Sequence, residues 1–172
     1  SNTLPVDLNG YRAAYSDTIS MAAEGRTEFG LEVGVVLGPH PVAWDKQIPE
    51  LGIEASSELH LEAVSLALEY IDSGHAHCLG EVGRPHYPVE EEIWERANDL
   101  LLEILSMASS SRTSVQLHVE ENNEKTYSEL SQLCMFSGIS SERAIRHFAP
   151  PNVSSDFTHG LSATVNMGKG SV

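Results

Sequence analysis

The chain has 172 residues, 41% of them hydrophobic, and a formal charge of −15. That length supports one ordinary core, and no apolar run approaches the roughly 20 residues of a membrane span. Acidic residues are spread along the chain as a solvated surface, lysine is limited to Lys46, Lys125 and Lys169, and no basic stripe with interleaved aromatics occurs. This argues against a broad nucleic-acid-binding face, but leaves room for a small metal-centred cleft. Cys78 and Cys134 form neither a CxxC motif nor a disulfide scaffold. The start, Ser1-Asn2-Thr3-Leu4-Pro5, has no basic region or apolar middle of the signal-peptide kind. A single cytoplasmic domain over residues 1–172 is the expectation.

In chain order, Tyr11 to Ala23 reads as a helix ended by Gly25, and Leu31 to Leu37 as a buried strand running through Gly38-Pro39 into His40. Ser57 to Ile71 is an amphipathic helix whose apolar side is Leu59, Leu61, Val64, Leu66, Leu68 and Ile71. The strand Ala76 to Val82 follows Gly74, and Val89 to Met107 is the longest helix, burying Ile93, Trp94, Ala97, Leu100, Leu101 and Ile104. Thr113 to His118 is a strand, and Asn123 to Ser137 a helix closed by Gly138. Ala144 to Phe148 and Leu161 to Met167 complete the strands.

An ionisable residue stands at the C-terminal edge of four of these strands: His40, Glu81, His118 and His147. Their spacing, about 30–40 residues, is that of successive strand–helix units in a parallel sheet. A parallel barrel builds its site at this edge, and so does an open doubly wound sheet. A Glu converging with His residues there is a metal-ligand set. A buried carboxylate needs a partner, so Glu81 either binds metal or pairs with Arg84 or Arg146. His75-Ala76-His77 stands at the start of its strand, too far down the sheet to join Glu81.

The string Gly80-Glu81-Val82-Gly83-Arg84-Pro85-His86-Tyr87-Pro88, with Gln116-Leu117-His118-Val119-Glu120, Arg146-His147-Phe148 and Gly38-Pro39-His40-Pro41, resembles the inner motifs of the TatD-like metal-dependent hydrolases, in order and spacing. The likeness is nearest to their archaeal branch and runs from about Leu31 to Met167. It implies a (β/α)8 barrel of which this chain carries roughly strands three to seven, a partial TIM barrel. It also implies a pair of divalent metals, zinc first with magnesium or manganese as alternatives, held by Glu81, His118 and His147, with Glu81 as the bridging catalytic carboxylate. His40 is then a substrate or hydrogen-bonding residue beside the metals, and Arg84 and His86 are placed to meet an anionic leaving group. The family's first-strand His-x-His and last-strand Asp have no counterpart here, so a truncated chain is expected, its open strand edges covered by further segments or by a second copy in a homo-oligomer.

The implied activity is metal-assisted hydrolysis of a phosphodiester, as in a DNase, or of another ester or amide, in a nucleic acid or a small molecule. A small-molecule amidohydrolase or lactonase is the first rival, weakened by the lack of a lysine at the strand ends through Arg146. A degenerate barrel acting as a non-catalytic binding module is the second. Glu120 is read as a solvated surface residue, Lys169 as a candidate at the site mouth, and Trp44 and Trp94 as packing.

Overall fold

A computed structural model describes residues 4–166 of the chain. Period-two alternation dictates its sheet: in strand β3 (Val115–His118), Val115 and Leu117 are fully buried while Gln116 and His118 are half-buried on the other side. The remaining strands are β1 (Val36–Leu37), β2 (Cys78–Gly83), β4 (Ala144–Arg146) and β5 (Ser162–Ala163). All pair in parallel in the order β1-β2-β3-β4-β5.

This order decides between the two sheet readings. A doubly wound sheet reverses its strand order at a switch point; here each strand lies beside its predecessor, as in a barrel. The fold is a partial TIM-type barrel, with parallel strands in one sheet and helices between them. Helices α1 (Leu8–Phe29), α2 (Pro41–Leu51), α3 (Ile53–Asp72), α4 (Glu91–Ser110), α5 (Asn123–Ser137) and the single turn α6 (Ser155–Thr158) link and cover the strands. Between the sheet and its helices lies one core: Leu79, Val82, Val115, Leu117 and Ala144 meet Ala63, Val64, Leu101, Ile104, Leu105 and Leu130. Each buried leucine or isoleucine there contributes about 1.5–3 kcal/mol relative to exposure.

Several boundaries differ from the sequence reading. Helix α1 runs through Gly25 and stops at Gly30, which takes the left-handed conformation (φ 63°) and caps it. The expected strand Leu31 to Leu37 shrinks to Val36–Leu37 because β1 is an edge strand. One step below the ladder, the Val35 N–H is taken by the His77 side chain, whose Nδ1 accepts it at 3.1 Å. Helix α2 has no counterpart in the sequence reading; His40 caps it and Pro41 opens it, a position where the missing N–H costs nothing. Helix α5 has the expected bounds, and Gly138 closes it in the left-handed conformation. The last strand is Ser162–Ala163; Met167 and Lys169 lie outside the described residues.

Candidate metal centre

Glu81 stands near the C-terminal end of β2, where the ladder shifts register between Leu79 and Val82. Gly80 permits close approach of the neighbouring strand, since a Cβ there would lie 2.7 Å from the Gln116 Cβ. Gly83 pairs with His118 in the next strand, and His147 follows β4 directly. His40 enters from the other side, at the turn from β1 into α2. The strand ends thus bring His40, Glu81, His118 and His147 to one rim of the sheet.

Each oxygen of Glu81 faces a different set of imidazoles. Oε2 lies 2.9 Å from His118 Nδ1 and 3.5 Å from His40 Nε2, while Oε1 lies 3.2 Å from His147 Nε2. Neither Arg84 nor Arg146 pairs with it: their carboxylate partners are Glu120 and Glu129 for Arg84 and Glu121 for Arg146. Donor atoms of His40, Glu81 and His118 all lie within 4.8 Å of one another. Tetrahedral ligands at about 2.0–2.2 Å from zinc sit roughly 3.3 Å apart, so a carboxylate between imidazoles at these separations fits a divalent cation. This geometric triad contains His40 where the sequence reading has His147. The two descriptions sample different oxygens of the same carboxylate.

The imidazoles are held from behind. His147 Nδ1 lies 2.8 Å from Thr164 Oγ1 and 3.2 Å from Gln116 Nε2, which leaves Nε2 turned to Glu81. His118 Nε2 lies 2.7 Å from His86 Nδ1, and the rings meet edge to face at 4.7 Å. His86 is exposed at the mouth and shares a cleft with His118, His147, Glu121 and Phe148. Burial pushes the His40 imidazole below its ordinary pKa, with His118 adding to the effect and Glu81 opposing it.

Arg84 is a correction to the sequence reading. Its side chain is only 1% exposed and points into the helix layer, not to the mouth. The guanidinium binds both oxygens of Glu120, bonds Asn98 Oδ1 at 2.6 Å and Glu129 Oε2 at 2.8 Å, and lies 4.5 Å from the Trp94 ring centre. Its donors are engaged by the protein, so it is not available to a substrate. Glu120 is corrected with it: the expected solvated residue is the bidentate partner of a buried arginine. Arg146, equally buried, bonds Glu121 and the Glu120 carbonyl and lies over the Tyr127 ring at 4.6 Å. The loop that follows His118 is therefore gripped by a guanidinium on each side.

Gln116 and Thr164 escaped the sequence reading. The signal for Gln116 was present, because a residue two before His118 in a strand shares its face. Thr164 carried no such signal, as it lies just past a two-residue strand.

Residues 9–160 match the family described as TatD related DNase. The chain belongs to that family. Its members are metal-dependent hydrolases, and the Glu81 cluster lies where the sheet edge places such a site. The chain is also 26% identical over 113 residues to an uncharacterised protein of Methanocaldococcus jannaschii, a stretch covering 65% of this chain and 40% of the relative. The chain thus spans less than half the length of that relative. No solved structure matches it. Among the described residues, no helix is long and apolar enough to cross a membrane.

Proposed function

We propose that this chain carries the metal-binding pole of a divalent-metal-dependent hydrolase that cleaves phosphodiesters, with Glu81, His118 and His147 as ligands. One observation carries the reading. A half-buried carboxylate is flanked by imidazoles at both oxygens and paired with no arginine, which suits a bridging ligand better than a structural ion pair. The nitrogen-rich donor set favours zinc, with manganese or magnesium as the alternatives. A divalent cation held there supplies Lewis acidity toward the scissile group.

The protein's own residues do the rest. Glu81 gathers the donors, Thr164 and Gln116 fix the face that His147 presents, and the loop after His118 is immobilised by Arg84 and Arg146. His86, exposed beside His118, is placed to meet the anionic leaving group. The charge of −15 favours a compact substrate, such as a strand end or a small phosphodiester, over a long duplex. We propose that the open edges at β1 and β5 are covered by further strands or a second copy, since Val36 and Val165 are exposed there.

The test is hydrolysis of bis(p-nitrophenyl) phosphate and of a single-stranded oligonucleotide, after chelation and after return of zinc, manganese or magnesium. Activity lost on chelation and restored by one metal is the expected result. Bound metal without turnover of any ester would replace the enzyme by a binding module.

A further inference from the structure

We propose that Phe148 is a stacking platform for the planar base of a nucleotide, set beside the metal centre by a bulge after β4. This role rests on the phosphodiester reading above and assigns a residue to the group that flanks the scissile bond. A lone exposed apolar side chain is ordinary at a protein surface. Phe148 differs in what its exposure demands of the backbone.

Burial alternates along this strand: Ala144 and Arg146 are buried on one face, while Ile145 and His147 are half-buried on the other. Arg146 lies over the Tyr127 ring of α5, so its face is the one covered by helices. Regular alternation would turn Phe148 to that covered face as well. The ladder beyond β5 prevents it. The Thr164 N–H donates to the Arg146 carbonyl at 2.9 Å, and the Thr164 carbonyl accepts from the Ala149 N–H at 2.8 Å. In a regular parallel ladder that second donor would be Phe148, so the β4 side carries one extra residue opposite Thr164. Ala149 takes the buried place at 8% exposure, and Phe148 is left 56% exposed.

The bulge puts Phe148 in the left-handed region (φ 50°), which a bulky side chain adopts only at a cost. A strained backbone and an exposed phenyl ring both work against folding, and both occur next to a proposed ligand. The ring lies against His147 with centroids 3.9 Å apart, and it lines a cleft of about 290 Å³ with His86, His118 and His147. That volume is at the small end of ligand sites, which suits one ring and its phosphate rather than a run of bases. Stacking on an aromatic face needs no basic stripe and tolerates any base, so it is compatible with this acidic chain.

Binding of thymidine 5′-monophosphate and of ribose 5-phosphate, which lacks the base, is measured by calorimetry on the zinc-loaded parent, Phe148→Gly and Phe148→Trp. The nucleotide should bind the parent about 5–150-fold more tightly than the sugar phosphate, the range of base–aromatic stacking. That ratio should fall toward one in Phe148→Gly and persist in Phe148→Trp, with ribose 5-phosphate binding unchanged. Equal affinities in the parent, or a ratio that survives in Phe148→Gly, would overturn the proposal. The urea midpoint of Phe148→Gly should lie at or above that of the parent, because glycine adopts the left-handed conformation freely. A midpoint below it would make the ring a packing element and also end the proposal.

If neither phosphate binds the zinc-loaded protein, the metal-centre reading fails, and thymidine alone still decides the platform. Added to the metal-free protein, thymidine should shift the aromatic NMR signals of Phe148. Signals that stay in place would overturn the assignment.

Discussion

A Cβ added to Gly83 would lie 1.9 Å from the carbonyl oxygen of His118. The Arg84 N–H donates to that same oxygen at 3.1 Å, so the end of β2 is locked to the end of β3 at the residue that faces Glu81. No side chain fits without separating the two strands. Gly83→Ala should therefore cost at least the roughly 1–3 kcal/mol of ordinary overpacking. It should also lower metal affinity more than a core substitution of equal cost elsewhere, such as Leu130→Val. Urea midpoints and zinc titrations of both variants check this; equal zinc affinity in the two would mean that the β2–β3 lock does not govern the site.

The Arg84–Glu120 pair makes a separate prediction. Arg84 is nearly inaccessible, so removing Glu120 leaves a guanidinium with Glu129 as its remaining carboxylate. Glu120→Ala should destabilise the protein by about 3 kcal/mol, the lower end for breaking a buried pair. The change Arg84→Met combined with Glu120→Leu should cost less than Glu120→Ala alone. Arg84→Lys should not be conservative, because it gives up the bidentate geometry and the stacking on Trp94. Chemical denaturation of the three variants gives the order; a Glu120→Ala cost within experimental error of zero would return Glu120 to the solvated surface.

His60, on α3, is fully buried, and neither ring nitrogen has a hydrogen-bond partner among the described residues. Burial pushes its pKa from 6.5 down to about 3, with His40 adding a smaller effect in the same direction. The unfolded chain therefore takes up a proton that the folded one refuses between those values. Its effect is absent above about pH 6.5, and stability is lost as pH falls toward 3, by at most about 1.4 kcal/mol per unit. His60→Leu should flatten that acid limb and raise stability at neutral pH by about 1–3 kcal/mol, the cost of an unsatisfied buried polar group. Urea midpoints at pH 7 and pH 5 decide it: a variant as acid-sensitive as the parent would show that His60 is protonated or solvated in the fold.

What could be read from the sequence followed physical periodicity. Helix α5 emerged with its bounds because Gly138 supplies an unambiguous stop, and the β3 core face because alternation is strict over Val115 to His118. The parallel strand order and the rim positions followed from an ionisable residue closing each apolar run. The pattern failed where a side chain replaced a backbone partner. The run from Leu31 reads as a strand, yet among the described residues no strand lies on its outer side, and His77 takes the Val35 N–H below the ladder. Helix α2 has no counterpart in the sequence reading; Pro41 opens it and Pro49 is accommodated inside it. A loop arginine beside a site suggests an anion, so the sequence alone points Arg84 toward the site mouth. The carboxylates that draw it inward, Glu120 and Glu129, are distant in sequence and meet it only in the fold.

The central claim is that Glu81 is a metal ligand between His118 and His147. Bound zinc, measured after dialysis for Glu81→Gln and for His77→Ala in the otherwise intact protein, tests it most directly. Glu81→Gln nearly preserves shape but removes the negative charge, so it should lose most of its metal while its unfolding midpoint stays near that of the parent. His77 is exposed at the start of β2 and bonds Val35, so His77→Ala should cost about 1 kcal/mol of stability and no metal. Equal zinc occupancy in the two variants would make Glu81 a structural carboxylate and contradict the account.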